Sequence, residues 1–340
     1  MIALVMPTIY VPDVLRWYRE IAPDVPFFII GDEGAPDEDV QRLVRSVEPA
    51  IYYSARDQRN LAYKSSELMG WRHPGRRCIG YLEAARAGAD IIVSVDDDNI
   101  ALDGMYLKEF ERLIGSKFSG LEASSAHGWV DAGWFLHPAI HHRGFPHQLW
   151  HPFEPPTVGA VTNARVGVAA GLWLGDPDID AITRIVDRPT CVTASDVADA
   201  GFVVAPSCYS PFNSQNTAFA RDLLPAMLML TPYGRYDDIW CSYLAERVLR
   251  NHNWVVHYGK PYVFQQRTGR EKRLLRDLSD EIEGMEATLR FTRALDEMEF
   301  PASSITEDAA CTFENLASTE FARISELGMA WIRDVERVFS

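Results

Sequence analysis

The segment IIVSVDDDNI at residues 91 to 100 places three carboxylates, Asp96, Asp97 and Asp98, directly after an apolar run. Three like charges at the end of a buried strand repel one another, so something must offset the repulsion. If the chain continues extended or in a tight turn, side chains alternate, and Asp96 and Asp98 face one way while Asp97 faces the other. Two carboxylates converging on one point suit a divalent cation. Hard oxygen donors favour Mn²⁺ or Mg²⁺, ions that keep positions open for phosphate oxygens. The competing reading is a solvated strand end in which Asp98 or Asn99 caps a turn. A second acidic pair, Asp237 and Asp238 in GRYDDIW, stands where a helix begins. One carboxylate suffices to cap that helix.

The elements that must position these groups are legible in the first hundred residues. IALVM (2 to 6), PFFII (26 to 30), IYY (51 to 53) and DIIVSV (90 to 95) are short apolar runs bounded by Pro, Gly or Asp, the pattern of buried parallel strands. Between them PDVLRWYREI, DEDVQRLVRSV and RRCIGYLEAARAG carry apolar residues near a 3.6 period. This alternation predicts an α/β fold, a sheet with helices on both faces, whose ligands bind at the carboxyl ends of the strands. Pro7-Thr8, Asp32-Glu33-Gly34 and Asp96 to Asn99 all follow strand ends.

From about 120 to 170 the sequence is turn-rich and dense in Gly, Pro, Trp and His, with six of the nine histidines at 127, 137, 141, 142, 147 and 151. Their spacing defines no metal site, and the stretch reads as an active-site lid. A strand (FVVAP), a helix (RDLLPAMLML), the turn-to-helix GRYDDIWCSYLAERVL and a strand (NWVVHYG) follow. The last 70 residues read as helical, including FENLASTEFARISELGMAWIRDVERVF as a packed helix.

The 340 residues carry 33 Lys and Arg against 48 Asp and Glu, a formal net charge of -15, which argues against nucleic acid as a partner. No apolar run reaches the length of a membrane span, and MIALVMPTIY lacks a basic flank, so a cytoplasmic protein with no membrane partner is expected. The five cysteines are scattered without a CxxC pair. No GxGxxG follows a strand, consistent with the absence of flavin or another dinucleotide.

An acidic triplet after the fourth strand of such a chain resembles the A-type glycosyltransferase fold, a Rossmann-like mixed sheet. That resemblance implies a nucleotide-sugar diphosphate bridged by a cation on Asp96 and Asp98, with Asp97 supporting the turn. Pro7, Thr8 and Asp32 would line the nucleoside pocket, Asp32 accepting from base or ribose; the alternative for Asp32 is a plain acidic turn. Arg77 would aim at ribose or phosphate, the alternative being a solvated helix start.

RCIGY (77 to 81), SVDDDN (94 to 99), RGFPHQL (143 to 149), GLWLGDPDIDA (171 to 181), NTAFARDLLPAM (216 to 227), GRYDDIW (234 to 240) and GKPYVF (259 to 264) go further. Their order and spacing resemble the reversibly glycosylated polypeptide family, the plant UDP-arabinopyranose mutases and their bacterial relatives. The likeness spans roughly residues 1 to 270, implying a catalytic domain there and a helical C-terminal region over 271 to 340 packed on it. It implies a metal-dependent, flavin-independent mutase that converts a nucleotide-bound pyranose into the furanose. Asp237 or Asp238 would hold sugar hydroxyls or carry a proton, and Arg235 would contact phosphate or sugar. Trp173, near Asp176, Asp178 and Asp180, would face the sugar ring or else be a core tryptophan.

The family pattern breaks twice. Where the family has a self-glycosylated arginine after its RGYPFSL-like segment, this chain has Trp150, and Arg165 is the only arginine between RGFPHQL and GLWL. Where the family has a histidine after its PYIW-type sequence, this chain has Gln265, and His257, eight residues earlier, is the substitute ligand. The turn GDEG also departs from the QDGD-like turn of the uridine-specific plant members. GDP-fucopyranose, as in bacterial mutases of this class, therefore stands beside UDP-arabinopyranose as substrate. Two other functions stay open, a glycosyltransferase with an external acceptor and a non-catalytic nucleotide-sugar-binding subunit, and so does a homo-oligomer.

Overall fold

A computed structural model of the chain describes residues 1–265, 273–300 and 304–340. Its first part runs β1 (Ile2–Thr8), α1 (Leu15–Ile21), β2 (Phe27–Gly31), α2 (Asp37–Arg45), β3 (Ala50–Tyr53), α3 (Ala55–Asn60), α4 (Lys64–Met69), α5 (Arg77–Arg86) and β4 (Ile91–Val95). β3, β2, β1 and β4 lie side by side and parallel, with Leu4 opposite Phe27 and Val93. Every residue of β2 and residues 2 to 6 of β1 are buried, so both sheet faces must be covered. These four strands are the ones the apolar runs predict.

β5 (Asn99–Ala101) and α6 (Tyr106–Leu113) lead into the second part: β6 (Lys117–Ser124), β7 (Leu136–His137), β8 (Thr157–Gly175), α7 (Ala181–Val186), β9 (Thr193–Ala194), α8 (Asp196–Ala200), β10 (Phe202–Val204), β11 (Asn216–Ala220), α9 (Asp237–Asn251) and β12 (Trp254–Gln265). The result is a ten-stranded mixed sheet of order β3-β2-β1-β4-β11-β8-β6-β10-β12-β5, with β8 also pairing β12. β8, β6, β10 and β12 therefore close a small circuit, while β7 and β9 form a separate pair. β11 runs antiparallel between β4 and β8.

Helices cover both faces. Tyr81 of α5 meets Phe219 of β11 edge to face at 5.1 Å, whereas Tyr106 of α6 donates to Asn216 Oδ1 of the same strand at 2.6 Å. Positions 216 and 219 point to opposite sides, so α5 and α6 sandwich the sheet. Gly80 permits the close approach of α5, since a Cβ there would lie 2.4 Å from Val5 Cγ1.

Three segments differ from expectation. The 120 to 170 region holds β6 and most of the 19-residue β8, whose sequence TVGAVTNARVGVAAGLWLG is rich in small residues and lacks alternation. RDLLPAM forms a short 3-10 segment, Arg221–Ala226, because Pro225 has no N–H to donate and its ring obstructs an α-helix. The long C-terminal helix is broken. α10 (Leu274–Asp296) and α11 (Ile305–Leu316) precede α12 (Ser325–Phe339), and α11 stops where Ser318 and Thr319 turn their hydroxyls back onto the Asn315 and Leu316 carbonyls.

These last helices share the main core. Trp240 of α9 stacks on Phe291 of α10 at 4.3 Å, Trp331 Nε1 of α12 donates to the Leu224 and Pro225 carbonyls, and Asp334 accepts from Ser65 N and Oγ.

Candidate active site

The triplet sits at the end of β4, where Asn99 N closes a turn onto the Asp96 carbonyl at 3.2 Å. The strict alternation of an extended chain is replaced by three separate attachments. Asp96 Oδ1 accepts from Arg77 Nη2 at 2.5 Å, Asp97 Oδ2 from Thr8 Oγ1 at 2.6 Å, and Asp98 Oδ1 from Gln265 Nε2 at 3.1 Å. The turn thus ties together the first helical turn of α5, the end of β1 and the end of β12. Burial pushes the Asp97 carboxyl up to about 6; the Thr8 hydroxyl opposes this, and Asp96 and Asp98 reinforce it. Pro7 precedes Thr8 on β1, opposite Ile30.

Arg77 is buried rather than an open helix start. Besides Asp96 its guanidinium donates to Ser94 Oγ at 3.0 Å, to the Ser214 carbonyl at 2.6 Å and to the Pro74 carbonyl at 3.2 Å. Burial alone would depress it, but Asp96, with Tyr81 and Asp238 adding to it, holds it above its ordinary range. Ser214 continues the network on its other side, because its N and Oγ lie 3.2 and 3.3 Å from Asp238 Oδ2.

Asp237 and Asp238 open α9, and neither caps it: the cap position is Tyr236, with no side-chain cap bond. Asp238 is held by Arg143, whose Nη1 and Nη2 both lie 3.1 Å from its Oδ1. The far side of the same guanidinium grips Asp178 at 3.0 and 2.9 Å, Asn213 Nδ2 donates to Asp178 Oδ2 at 2.9 Å, and Arg143 N donates to the Asp178 carbonyl. Arg143 and Asp178 are buried. Burial acts to depress the Arg143 guanidinium, and the two carboxylates more than offset it. Asp237 has a different neighbour, His73, whose Nδ1 lies 3.5 Å from Oδ2. That nitrogen accepts from Gly75 N at 3.0 Å, so the contact with Asp237 is a close approach rather than a donated bond. Burial raises the Asp237 carboxyl; His73 opposes this, while Asp238 adds to it.

Other expected residues are placed as follows. Asp32 is buried, and its oxygens accept from the main-chain N–H of Glu33, Arg72 and His73 at 2.6, 2.9 and 2.7 Å. It fastens the loop entering α5, and its occupied oxygens argue against the base-reading role. Arg235 turns away toward α10, with Nε 2.6 Å from Glu281 Oε1, and Glu281 Oε2 accepts from Ala181 N at 2.6 Å. Asp180 caps α7 through Thr183 N. Trp173 is a buried residue of β8, its ring 5.1 Å from that of His142 and its Nε1 without a hydrogen-bond partner.

Two expected residues are not brought to this place. Arg165 is exposed near the middle of β8, its guanidinium 3.8 Å over Trp254, which begins β12. Ten residues separate it from Gly175, the partner of Gln265, a span of roughly 30 Å along a strand. His257 is likewise roughly 25 Å back along β12 from Gln265; it is buried against Phe118, and burial drives its imidazole down to about 3. Neither reaches the acidic turn. Within the histidine-rich stretch His142 is buried and His141 stacks between Phe145 at 5.6 Å and Trp150 at 5.3 Å, with Nδ1 2.9 Å from Asp131, whereas His127, His137, His147 and His151 are exposed.

Among the described residues no group of three or more His, Cys, Asp or Glu forms a metal cluster. A cation at the turn would draw on Asp96 and Asp98, with the Gln265 amide beside Asp98 and Asn99 Oδ1 buried without a partner. This donor set is oxygen-rich and fits Mg²⁺ or Mn²⁺, whose remaining positions phosphate and water would fill. Arg143 and Ser214 are the members that sequence reading missed. RGFPHQL contains the first, but nothing in the sequence alone reveals a contact made 35 and 95 residues away.

The chain belongs to the reversibly glycosylated polypeptide family, whose model matches residues 2–338. It is similar to UDP-arabinopyranose mutase 3 of Arabidopsis thaliana, 28% identical over 282 residues covering 78% of this chain and 70% of the relative. UDP-arabinopyranose mutase 1 of Oryza sativa subsp. japonica is also 28% identical, over 278 residues, covering 78% and 69%. The probable UDP-arabinopyranose mutase 4 of Arabidopsis thaliana is 23% identical over 350 residues, 98% of this chain and 90% of the relative. Among solved structures, the mannosyltransferase PcManGT of Pyrobaculum calidifontis, in complex with GDP-Man and Mn2+, aligns at 11% identity and a TM-score of 0.37 over 99% of this chain and 86% of that one. That score decides nothing.

Proposed function

We propose that this protein is an enzyme, a divalent-metal-dependent nucleotide-sugar mutase of A-type glycosyltransferase architecture that interconverts the pyranose and furanose forms of a GDP- or UDP-linked sugar. The observation carrying the reading is the continuous network from the acidic turn through Arg77 and Ser214 to Asp238. It joins the acidic turn and Asp238 of the carboxylate pair in one hydrogen-bonded unit, which supports a diphosphate role for the turn, and the kinship to mutases supports the same chemistry.

When bound at Asp96 and Asp98, the cation supplies charge neutralisation for a departing diphosphate. Arg77 fixes Asp96, Gln265 lies against Asp98, and Thr8 holds Asp97 out of the way. The bond from the anomeric carbon to the diphosphate breaks with its electron pair on oxygen, leaving a cationic sugar stabilised by the nearby carboxylates. A hydroxyl of the same sugar attacks that carbon and gives up its proton. The former ring oxygen then leaves the carbon and takes a proton, and the diphosphate returns. The overall change moves one proton between two oxygens, with no change of oxidation state, so a single carboxyl can serve both steps. Asp237, buried and with a raised pKa, suits that role. Arg165 lies outside the site, so no arginine adduct enters this route.

Incubation of the purified protein and Mn²⁺ with GDP-fucopyranose and UDP-arabinopyranose in turn, followed by chromatography, tests the reading. A furanose isomer from either is expected. Stoichiometric free NDP with a glycosylated product would instead assign transfer to an external acceptor. Binding without turnover of either substrate would favour the non-catalytic subunit.

A further inference from the structure

Arg143 is the one cation in hydrogen-bond contact with Asp238 among the described residues, and it contacts no other acidic side chain there except Asp178. Its Nη1 also donates to the Arg235 carbonyl, in the turn just before α9. One guanidinium therefore joins three segments distant in the chain: the loop at 143, the stretch after β8 at 178, and the start of α9. A planar fork with fixed donor directions does this; a flexible ammonium cannot reproduce it. Asp178 is anchored in turn by Asn213, the neighbour of Ser214, and Ser214 reaches back to Asp238. The result is a closed ring of contacts around Asp238.

We propose that Arg143, clamped by Asp178, is the positioning residue that fixes the Asp238 carboxylate against the sugar of the bound nucleotide sugar. The proposal rests on the mutase reading for the identity of the ligand, while its binding test does not require turnover. Arg143 is distinct from any arginine that would touch phosphate, because its donors are spent on Asp178, Asp238 and the Arg235 carbonyl.

The test compares wild type, Arg143→Lys and Asp178→Asn by three measurements with Mn²⁺ present. These are calorimetric affinity for GDP and UDP, affinity for GDP-fucose and UDP-arabinopyranose, and turnover of the two sugars. Arg143→Lys is expected to bind the free nucleotide within about twofold of wild type, to lose about tenfold in the ratio of nucleotide-sugar to nucleotide affinity, and to lose about a hundredfold in turnover. Asp178→Asn is expected to move the same two quantities in the same direction by a smaller factor, again with nucleotide affinity kept. A merely structural role would lower thermal stability and affinity for nucleotide and nucleotide sugar together. A folded Arg143→Lys with the wild-type ratio and turnover overturns the proposal, and so does failure of both variants to fold. If wild type turns over neither sugar yet Arg143→Lys still loses the sugar-dependent ratio, the mutase reading fails and the positioning role stands.

Discussion

Asp96 and Asp98 have different protein partners, one a guanidinium and the other an amide. A cation bound there would share Asp96 and Asp98 with these partners. Replacing both by alanine is expected to abolish the Mn²⁺-dependent part of nucleotide binding and to cut turnover by about a thousandfold or more. Titrating the double variant with nucleotide, with and without Mn²⁺, reads the first directly; an unchanged metal effect would remove the turn from the site. A second residue-scale expectation concerns Glu246 of α9, which is buried with Oε1 unpartnered and Oε2 accepting from Ser210 N at 3.0 Å. Burial raises its carboxyl well above the ordinary range, with Arg250 opposing. At low pH folded and unfolded chains are both protonated there. As pH rises past the ordinary carboxyl value the unfolded chain ionises first, so this group's contribution to stability falls until the native pKa is reached. Glu246→Gln should therefore melt higher than wild type at pH 8 and lose that advantage near pH 4, as thermal melts at the two pH values would show. At this scale the sequence revealed the acidic positions but not their partners. Asp32 looked like a base reader because it follows a strand, yet its oxygens are occupied by main-chain N–H groups that any sequence could supply.

Elements obey simpler rules, and there the reading fared better. β1, β2 and β4 announce themselves because strands buried on both faces must be apolar throughout, and the edge strand β3, partly exposed, is apolar enough to be read with them. β8 does not, because half of it is exposed and the rest is built of small residues that let other strands and side chains come close: a Cβ at Gly171 would lie 2.3 Å from the Pro261 carbonyl oxygen. Arg165 and His257 were misplaced for the same reason. Without knowing that β8 and β12 are long parallel neighbours, nothing tells which end of each faces the acidic turn. α10 carries an expectation of its own. A Cβ at Gly284 would fall 2.1 Å from the Tyr236 ring, the residue immediately before Asp237. Gly284→Ala should cost about 1–3 kcal/mol of stability and disturb the start of α9. Denaturant titration measures the first, and a drop in turnover larger than the stability loss explains would report the second.

The whole molecule carries a formal charge of -15, yet its proposed substrate is an anion. Local arrangement must overcome that field: Arg77 and a cation held at the acidic turn would be the local positive charges, and salt dependence of the nucleotide on-rate should be weak accordingly. Among the described residues no helix is long and apolar enough to cross a membrane. We propose that the region after 270 completes the core rather than forming an appendage. Trp331 is fully buried and reaches the 3-10 turn that follows β11, and Glu281 ties Arg235 to α7. Trp331→Ala should cost about 3–5 kcal/mol, and a chain ending at residue 270 should be insoluble or lack a cooperative melt. A well-behaved truncated chain would separate the two regions. The helical character of this region was legible from its periodicity and its packing on the main domain was expected; the particular contacts with Ser65 and Leu224 were not, because they leave no local trace.

Ser214 faces Arg77 with its carbonyl and Asp238 with its N–H and hydroxyl. Two of those three groups are main chain, so mutation of the side chain removes only one of them. The joint between the two halves of the site is thus largely immune to drift at position 214. Its inheritance depends on the path of the backbone, and relatives could keep the mechanical link while showing no serine there at all.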